Sequence, residues 1–317
     1  MGFEAVFLCV RRHQILRLMD TATAGIGNSG AISAKARMSS YFELTKPRIA
    51  FMLVLTSAAG FYLGTNGAFN WLLFLNAMAA ITLLAFGVAT LNQYIERAID
   101  GLMDRTAGRP LPAKKISPVE ALVFGSVLCV AAELYLLFAV NALTAILGLS
   151  VIVGYVFVYT PLKTRTTLST AIGAIPGAMP PLMGWTAAAN EITLGAWILF
   201  VLLYLWQFPH FLAIAWLYRE EYSKAGIKML PAVERSGRVT VTQIVIFTLL
   251  MLPISIGPFF VGVSGWIFLA GASLLGVWFL WASLKMARQP DKKSARRLLL
   301  TSVLYLPLMF ALMVFNH

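Results

Sequence analysis

The chain has 317 residues, 59% of them hydrophobic and only 12% charged, about half the roughly 25% charge of an ordinary soluble domain. With a mean hydropathy of +0.80, that excludes a soluble globular class and indicates an integral membrane protein. The net charge of +12, from 25 basic and 13 acidic residues, sits in short loops beside apolar runs, where it orients spans rather than binding nucleic acid. Cys9 and Cys129 are too few and too far apart for a disulfide scaffold or a CxxC metal site.

Residues 1–40 open with a short apolar patch, Ala5 to Val10, followed by Arg11 and Arg12, the reverse of a signal peptide's order. A Gly/Ser/Ala-rich run from Gly25 to Ser33 comes next. We read 1–40 as a flexible cytoplasmic extension and 41–317 as one membrane domain; a start codon placed too far upstream would leave the same trace. Lys46, Pro47 and Arg48 mark the inner end of the first span, since proline is tolerated at a helix start.

Nine apolar segments follow, at 49–64, 71–91, 119–139, 142–160, 169–187, 195–217, 240–261, 265–284 and 297–315. Several approach the ~20 residues needed to cross hydrocarbon. Lys and Arg occur before the first span and in every second loop, and in none of the loops between. The positive-inside rule then puts the N-terminus in the cytoplasm and the C-terminus outside, as an odd number of spans requires. Two inner loops, 92–118 and 218–239, are longer than turning round demands and are rich in both signs of charge.

The first long loop opens with NQYIERAIDGLMDRTAGRPLP, residues 92–112, which spaces Asn92, Glu96, Asp100 and Asp104 at steps of four. At about 100° per residue these four stay within roughly a third of a helix circumference. Carboxylates that close repel unless a cation holds them, so the face calls for a hard cation or for paired arginines, and Arg97, Arg105 and Arg109 are at hand. Oxygen donors followed by arginine forks suit a magnesium-bridged diphosphate; a salt-bridged cytoplasmic loop is the plainer alternative.

The loop after the fourth span carries Lys163 and Arg165 on the same side, positions that serve diphosphate neutralisation and topology about equally. In the fifth span Pro176, Gly177, Pro180 and Pro181 interrupt the helix, a pattern expected where a span borders a substrate chamber. Glu133, near the outer end of the third span, receives no role. His210, within the sixth span, follows Pro209 among Trp206, Phe208 and Phe211. Imidazole at membrane depth is either a satisfied core group or a ligand. The second long loop brings Glu220, Glu221, Tyr222 and Lys224 to the inner surface, as a second acidic cluster or as a neutralised helix end.

Three passages, ATLNQYIERAIDGLMDRTAGRPLP, VYTPLKTRTTLSTAIGAIPGAMPPLMGW and YLWQFPHFLAIAWLYREEYSKAGIKMLP, together resemble the UbiA-type membrane prenyltransferases, and within them the branch that farnesylates haem. The resemblance covers 41–317. It implies an all-α polytopic protein of the cell inner membrane, a bundle of nine transmembrane helices. The implied reaction moves the farnesyl group of farnesyl diphosphate to a vinyl group of haem b with addition of water, giving haem O and diphosphate with the assistance of Mg²⁺. The implied partners are those two substrates, the lipid bilayer, and downstream haem A synthase or haem-copper oxidase assembly. By the same resemblance Asn92, Glu96 and Asp100 are catalytic metal-binding positions, joined by Glu221. Arg105 and Arg109 bind diphosphate, Lys163 and Arg165 are both catalytic and diphosphate-binding, and His210 contacts haem. Asp104, Glu220, Tyr222 and Lys224 are supporting residues. Glu221 stands where Asp often precedes the Tyr, and Lys228 where Pro often precedes Met-Leu-Pro. A prenyltransferase of quinone precursors and a polytopic transporter are the rival readings.

Overall fold

The computed structural model describes residues 33–317; the extension expected over 1–40 lies largely outside them. A compact unit runs from Ser40 to His317. Among the described residues the secondary structure is helical, and in chain order the helices are α1 (Ala34–Leu44), α2 (Pro47–Leu63), α3 (Trp71–Asp100), α4 (Pro118–Ala139), α5 (Ala142–Leu162), α6 (Ser169–Ala189), α7 (Leu194–Leu217), α8 (Arg219–Lys224), α9 (Leu230–Val233), α10 (Arg238–Phe260), α11 (Trp266–Arg288) and α12 (Lys292–Phe315). Seven of these are long and apolar enough to span a bilayer. Together with α2, at 17 residues, and the proline-interrupted α6, they make the nine long segments expected, in a multi-pass membrane protein.

Helix starts are set by short polar side chains that satisfy the orphan amides of the first turn. Asn70 accepts from Leu73 N, and Asn141 accepts from Thr144 N. Asp291 accepts from Ser294 N, and Ser117 with Glu120 forms a reciprocal capping box ahead of α4. The 30-residue α3 is about 45 Å long, well beyond a ~30 Å hydrocarbon layer, so its last turns stand clear of the apolar span. Those turns carry Asn92, Glu96 and Asp100. The helix ends at Asp100, so Asp104, expected as a fourth member of the face, lies past the end, exposed in a turn.

Consecutive long helices pack side by side, and α12 returns to touch α2. Two apolar clusters form the interior. One is built from α3, α4 and α5 with parts of α2 and α6, the other from α6, α7, α10, α11 and α12. They meet at the α2–α6 crossing. There a Cβ at Gly60 would overlap Pro181 O, and one at Gly184 would overlap Ser57 O. Backbones in contact are how membrane helices gain packing that lipid cannot supply.

Two departures from regular helix geometry, in α6 and α5, bear on the interior of the bundle. Pro180 and Pro181 in α6 cannot donate amide hydrogens to the carbonyls of the preceding turn. Gln207 of α7 fills the room left by Gly177, and its Nε2 donates to Ala174 O (3.0 Å) and Leu203 O (3.2 Å). An apolar cavity of about 590 Å³ lies against the same helices, lined by Ile175, Met179 and Leu182 of α6 and by Phe200, Tyr204 and Leu205 of α7. The fifth span thus borders an open apolar recess, lined by Ile175, Met179 and Leu182 rather than by its prolines. In α5, Val153–Tyr159 widens into a π-helix, which the expectation of a regular helix over 142–160 missed. Pro161 has no amide hydrogen for the carbonyl four residues back, and a wider turn accommodates its ring.

Because the α2–α6 contact has no room for a side chain, Gly184→Val should lower the unfolding free energy by about 1–3 kcal/mol or more, the usual range for an overpacked site. The thermal unfolding midpoint of the detergent-solubilised protein is the measurement. Gly67→Ala would show no packing effect, since nothing lies within 4 Å of a Cβ there, and any loss it shows comes from its positive φ of 88°.

Candidate active site

Three elements meet at the C-terminal end of α3. Lys46 stands between α1 and α2 in the left-handed region (φ 50°, ψ 58°), where few residues other than glycine settle. Its Nζ donates to Asn92 Oδ1 at 2.8 Å. The other end of that amide, Nδ2, donates to Thr160 Oγ1 at 3.2 Å, and Thr160 Oγ1 in turn donates to Tyr155 O within the π-helix (2.8 Å). One turn further along α3, Glu96 Oε1 pairs with Lys163 Nζ at 2.5 Å. One turn beyond that, Asp100 receives Arg109 Nη1 on both oxygens, at 2.8 and 2.7 Å. Asn92, Glu96 and Asp100 are all buried.

Three cations, Lys46, Lys163 and Arg109, therefore face two carboxylates, a surplus of one positive charge when all are ionised. A basic surplus in a confined polar site selects anions. The balance also places a carboxylate at the C-terminal end of α3, where the helix dipole opposes it, and Arg109 offsets both charges. Burial pulls the Lys46 ammonium down to about 8, and repulsion from Arg109 adds to that against the pull of Glu96. Burial also opposes the charge on Lys163, but attraction to Glu96 outweighs it, and the ammonium is held well above the ordinary lysine range. Lys163 further lies 4.5 Å from the centre of the Tyr159 ring.

The expected arginines divide. Arg109 faces the array, whereas Arg97 turns back to Tyr94, donating to its carbonyl (2.6 Å) and lying over its ring. Arg105 lies over Tyr218 at 4.5 Å and donates to Tyr222 Oη at 3.0 Å, while its backbone N–H reaches Glu221 Oε2 at 3.4 Å. These contacts join the 101–117 loop to α8, with Met103 in an apolar cluster alongside Tyr222 and Ile227. Lys228 N donates to Lys163 O at 2.7 Å and draws the loop after α5 into the same assembly. Arg165, Glu220 and Lys224 are exposed. No group of three or more His, Cys, Asp or Glu close enough for a metal ion occurs among the described residues, so Glu221 does not join the α3 carboxylates in one cluster.

Lys46, Thr160 and the Tyr155–Tyr159 pair (ring centres 4.9 Å apart) are participants the sequence reading did not assign. The Lys-Pro step before the first span was their nearest signal, and it read only as a topology mark. His210 lies on another part of the bundle. Its ring stacks on Trp206 (4.5 Å, 20°) and meets Phe211 edge-on (5.3 Å, 70°), and its Nδ1 is 2.8 Å from Ser302 Oγ on α12. Phe208, expected beside it, stacks on Phe247 instead.

Residues 53–312 match the UbiA prenyltransferase family. The chain is 46% identical over 289 residues to protoheme IX farnesyltransferase of Solibacter usitatus (strain Ellin6076), covering 88% of this chain and 99% of that one. It is 43% identical to the protein of the same name in Koribacter versatilis (strain Ellin345), over 87% of this chain and 93% of the relative. Among solved structures, digeranylgeranylglyceryl phosphate synthase superposes with a TM-score of 0.75 at 18% identity, covering 88% of this chain and 98% of that one. A UbiA homologue from Archaeoglobus fulgidus bound to DMAPP and Mg²⁺ gives 0.62 at 17% identity, covering 86% and 99%.

Removing one partner of a buried pair strands the other charge, at about 3–5 kcal/mol. Lys163→Met should therefore destabilise the protein by an amount in that range, and Glu96→Gln added to it should recover most of the loss. Denaturant titration of the two variants in micelles reads this directly. Equal stability of the single and double variants would mean that Glu96 is not stranded by loss of Lys163.

Proposed function

The chain belongs to the UbiA prenyltransferase family, and we propose that within it this protein transfers the farnesyl group of farnesyl diphosphate to a vinyl group of haem b, with addition of water. The observation that carries the reading is the buried array of Asn92, Glu96 and Asp100 with Lys46, Lys163 and Arg109 at the inner end of α3. It has the charge and donor chemistry for a diphosphate, and relatives at 46% and 43% identity are protoheme IX farnesyltransferases.

The hard-oxygen set of Asn92, Glu96 and Asp100 also fits Mg²⁺, which needs only one or two carboxylates because phosphate oxygens and water complete its shell. Asn92, Glu96 and Asp100 would hold Mg²⁺, which when bound would supply positive charge to offset that developing on the leaving diphosphate. The chain's own residues do the rest. Arg109 and Lys163, released from Asp100 and Glu96, turn to the diphosphate oxygens, and Lys46 and Asn92 close the opposite side. As the bond from farnesyl C1 to oxygen breaks, its electron pair stays with the diphosphate, where these cations stabilise it. The vinyl group then supplies the electrons of the new carbon–carbon bond. Water adds to the cation left on the haem side chain and loses a proton, giving the hydroxyethylfarnesyl group. We assign the isoprenoid tail to the apolar side of the bundle, where the cavity between α6 and α7 offers room. His210 is assigned to the haem. Arg105, Glu221 and Tyr222 support the closure of the inner loops, with Asp104, Glu220, Lys224 and Arg165 at the rim. In this reading the array faces the cytoplasm across the inner membrane, with His317 outside. Haem O is supplied onward to haem A synthase or haem-copper oxidase assembly.

An interaction made chiefly as the leaving group gains charge depresses turnover more than donor binding. Asp100→Asn should accordingly lower kcat by at least tenfold at saturating magnesium, with a smaller change in the KM for farnesyl diphosphate. Steady-state kinetics across a magnesium series tests this, and parent turnover at limiting magnesium would remove Asp100 from the metal site.

The activity itself is tested by offering the purified protein farnesyl diphosphate and Mg²⁺ with haem b or with 4-hydroxybenzoate. Haem b should gain a farnesyl group and one hydroxyl by mass and lose one vinyl signal, with diphosphate released. Prenylation of the aromatic acid alone would assign the protein to quinone precursors, and binding of all substrates without product would overturn the enzymatic reading.

A further inference from the structure

His210 has a second partner besides the ring stack, and the chemistry of that partner determines which of its nitrogens is free. Ser302 Oγ lies 2.7 Å from Leu299 O as a donor and 2.8 Å from His210 Nδ1. A hydroxyl carries one hydrogen, and a carbonyl oxygen can only accept. With that hydrogen given to Leu299 O, the serine oxygen presents lone pairs to Nδ1, so Nδ1 must carry the imidazole hydrogen. In the neutral ring Nε2 then holds an unshared pair. Among the described residues nothing hydrogen-bonds to Nε2, and the ring is only partly buried. Its plane is held by stacking on Trp206, whose Nε1 donates to Ser302 O at 3.0 Å, so one residue of α12 anchors both rings.

We infer that Ser302 is a positioning residue for the haem substrate, holding His210 as the Nδ1–H tautomer so that Nε2 is offered to the haem iron. This rests on the assignment of His210 to haem made above. Ligating histidines characteristically donate their other N–H to a fixed acceptor, and loss of that acceptor typically costs 10–100-fold in metal affinity. Here the acceptor sits on the last helix, 92 residues away in sequence, and ties α12 to the acceptor site.

The test uses the full-length protein in detergent with ferric haem b as the probe. ¹⁵N-histidine NMR of the haem-free wild type should show His210 protonated at Nδ1, and an Nε2–H tautomer would overturn the inference outright. Ser302→Ala should weaken haem binding about 10–100-fold and raise the KM for haem, with the KM for farnesyl diphosphate unchanged. Ser302→Thr, which keeps the hydroxyl, should restore binding, and unfolding midpoints identify any variant that loses haem by misfolding. His210→Ala separates the two claims. If it leaves haem affinity and the haem spectrum intact, the acceptor-site assignment itself fails. If it abolishes the histidine-ligated spectrum while Ser302→Ala preserves both affinity and tautomer, only the role of Ser302 is lost.

Discussion

Two carboxylates buried at the C-terminal end of a membrane helix are the constraint to which the rest of this structure answers. Taking a charge out of water costs several kcal/mol even after relaxation, and only a close, well-oriented partner repays it. Glu96 and Asp100 obtain theirs from outside α3, Glu96 from Lys163 after α5 and Asp100 from Arg109 in the loop that follows. Lys46, from the segment between α1 and α2, completes the set through Asn92. The fold is thus required to bring three separate connections to one point. The same cations that stabilise the protein by neutralising carboxylates are the ones the proposed function assigns to the diphosphate.

Backbone irregularity is concentrated where the elements converge. The π-helix in α5 puts Thr160 against Asn92, and the left-handed Lys46 lets the chain turn between two helices while its side chain reaches α3. The prolines of α6 withhold amide hydrogens from its own turns, and Gln207 ties α7 to the same helix through Ala174 O. Non-helical backbone at membrane depth is tolerated only where protein or a cavity meets it. These departures therefore outline the interior of the bundle, and the exposed apolar faces of α4 and α11 outline its exterior.

The loops after α3, α5 and α7 act as one layer. Arg105 threads between Tyr218 and Tyr222, Glu221 accepts from the backbone of the preceding motif, and Lys228 bonds to the carbonyl of Lys163. An allylic cation is short-lived in water, so a layer of this kind over the proposed diphosphate site suits chemistry in which an alkene must be reached before solvent. Proximity then makes carbon–carbon bond formation effectively unimolecular.

Hydropathy and the alternation of basic loops were enough to delimit nine helical segments, because spanning length and loop charge are properties of contiguous residues. The four-residue rhythm placed Asn92, Glu96 and Asp100 on one face for the same reason, and it failed only at Asp104, where a glycine at 101 lets the helix stop. Which cation meets which carboxylate was beyond sequence reach. Arg97 is one residue from Glu96 yet turns to Tyr94, while Lys163, 67 residues away, makes the pair. Phe208, two residues from His210, faces Phe247, while Ser302 on the last helix supplies the bond to the imidazole. Periodicity records which side of its own helix a residue occupies. The partner on the other side is chosen by packing between helices distant in sequence, and that only the tertiary structure decides.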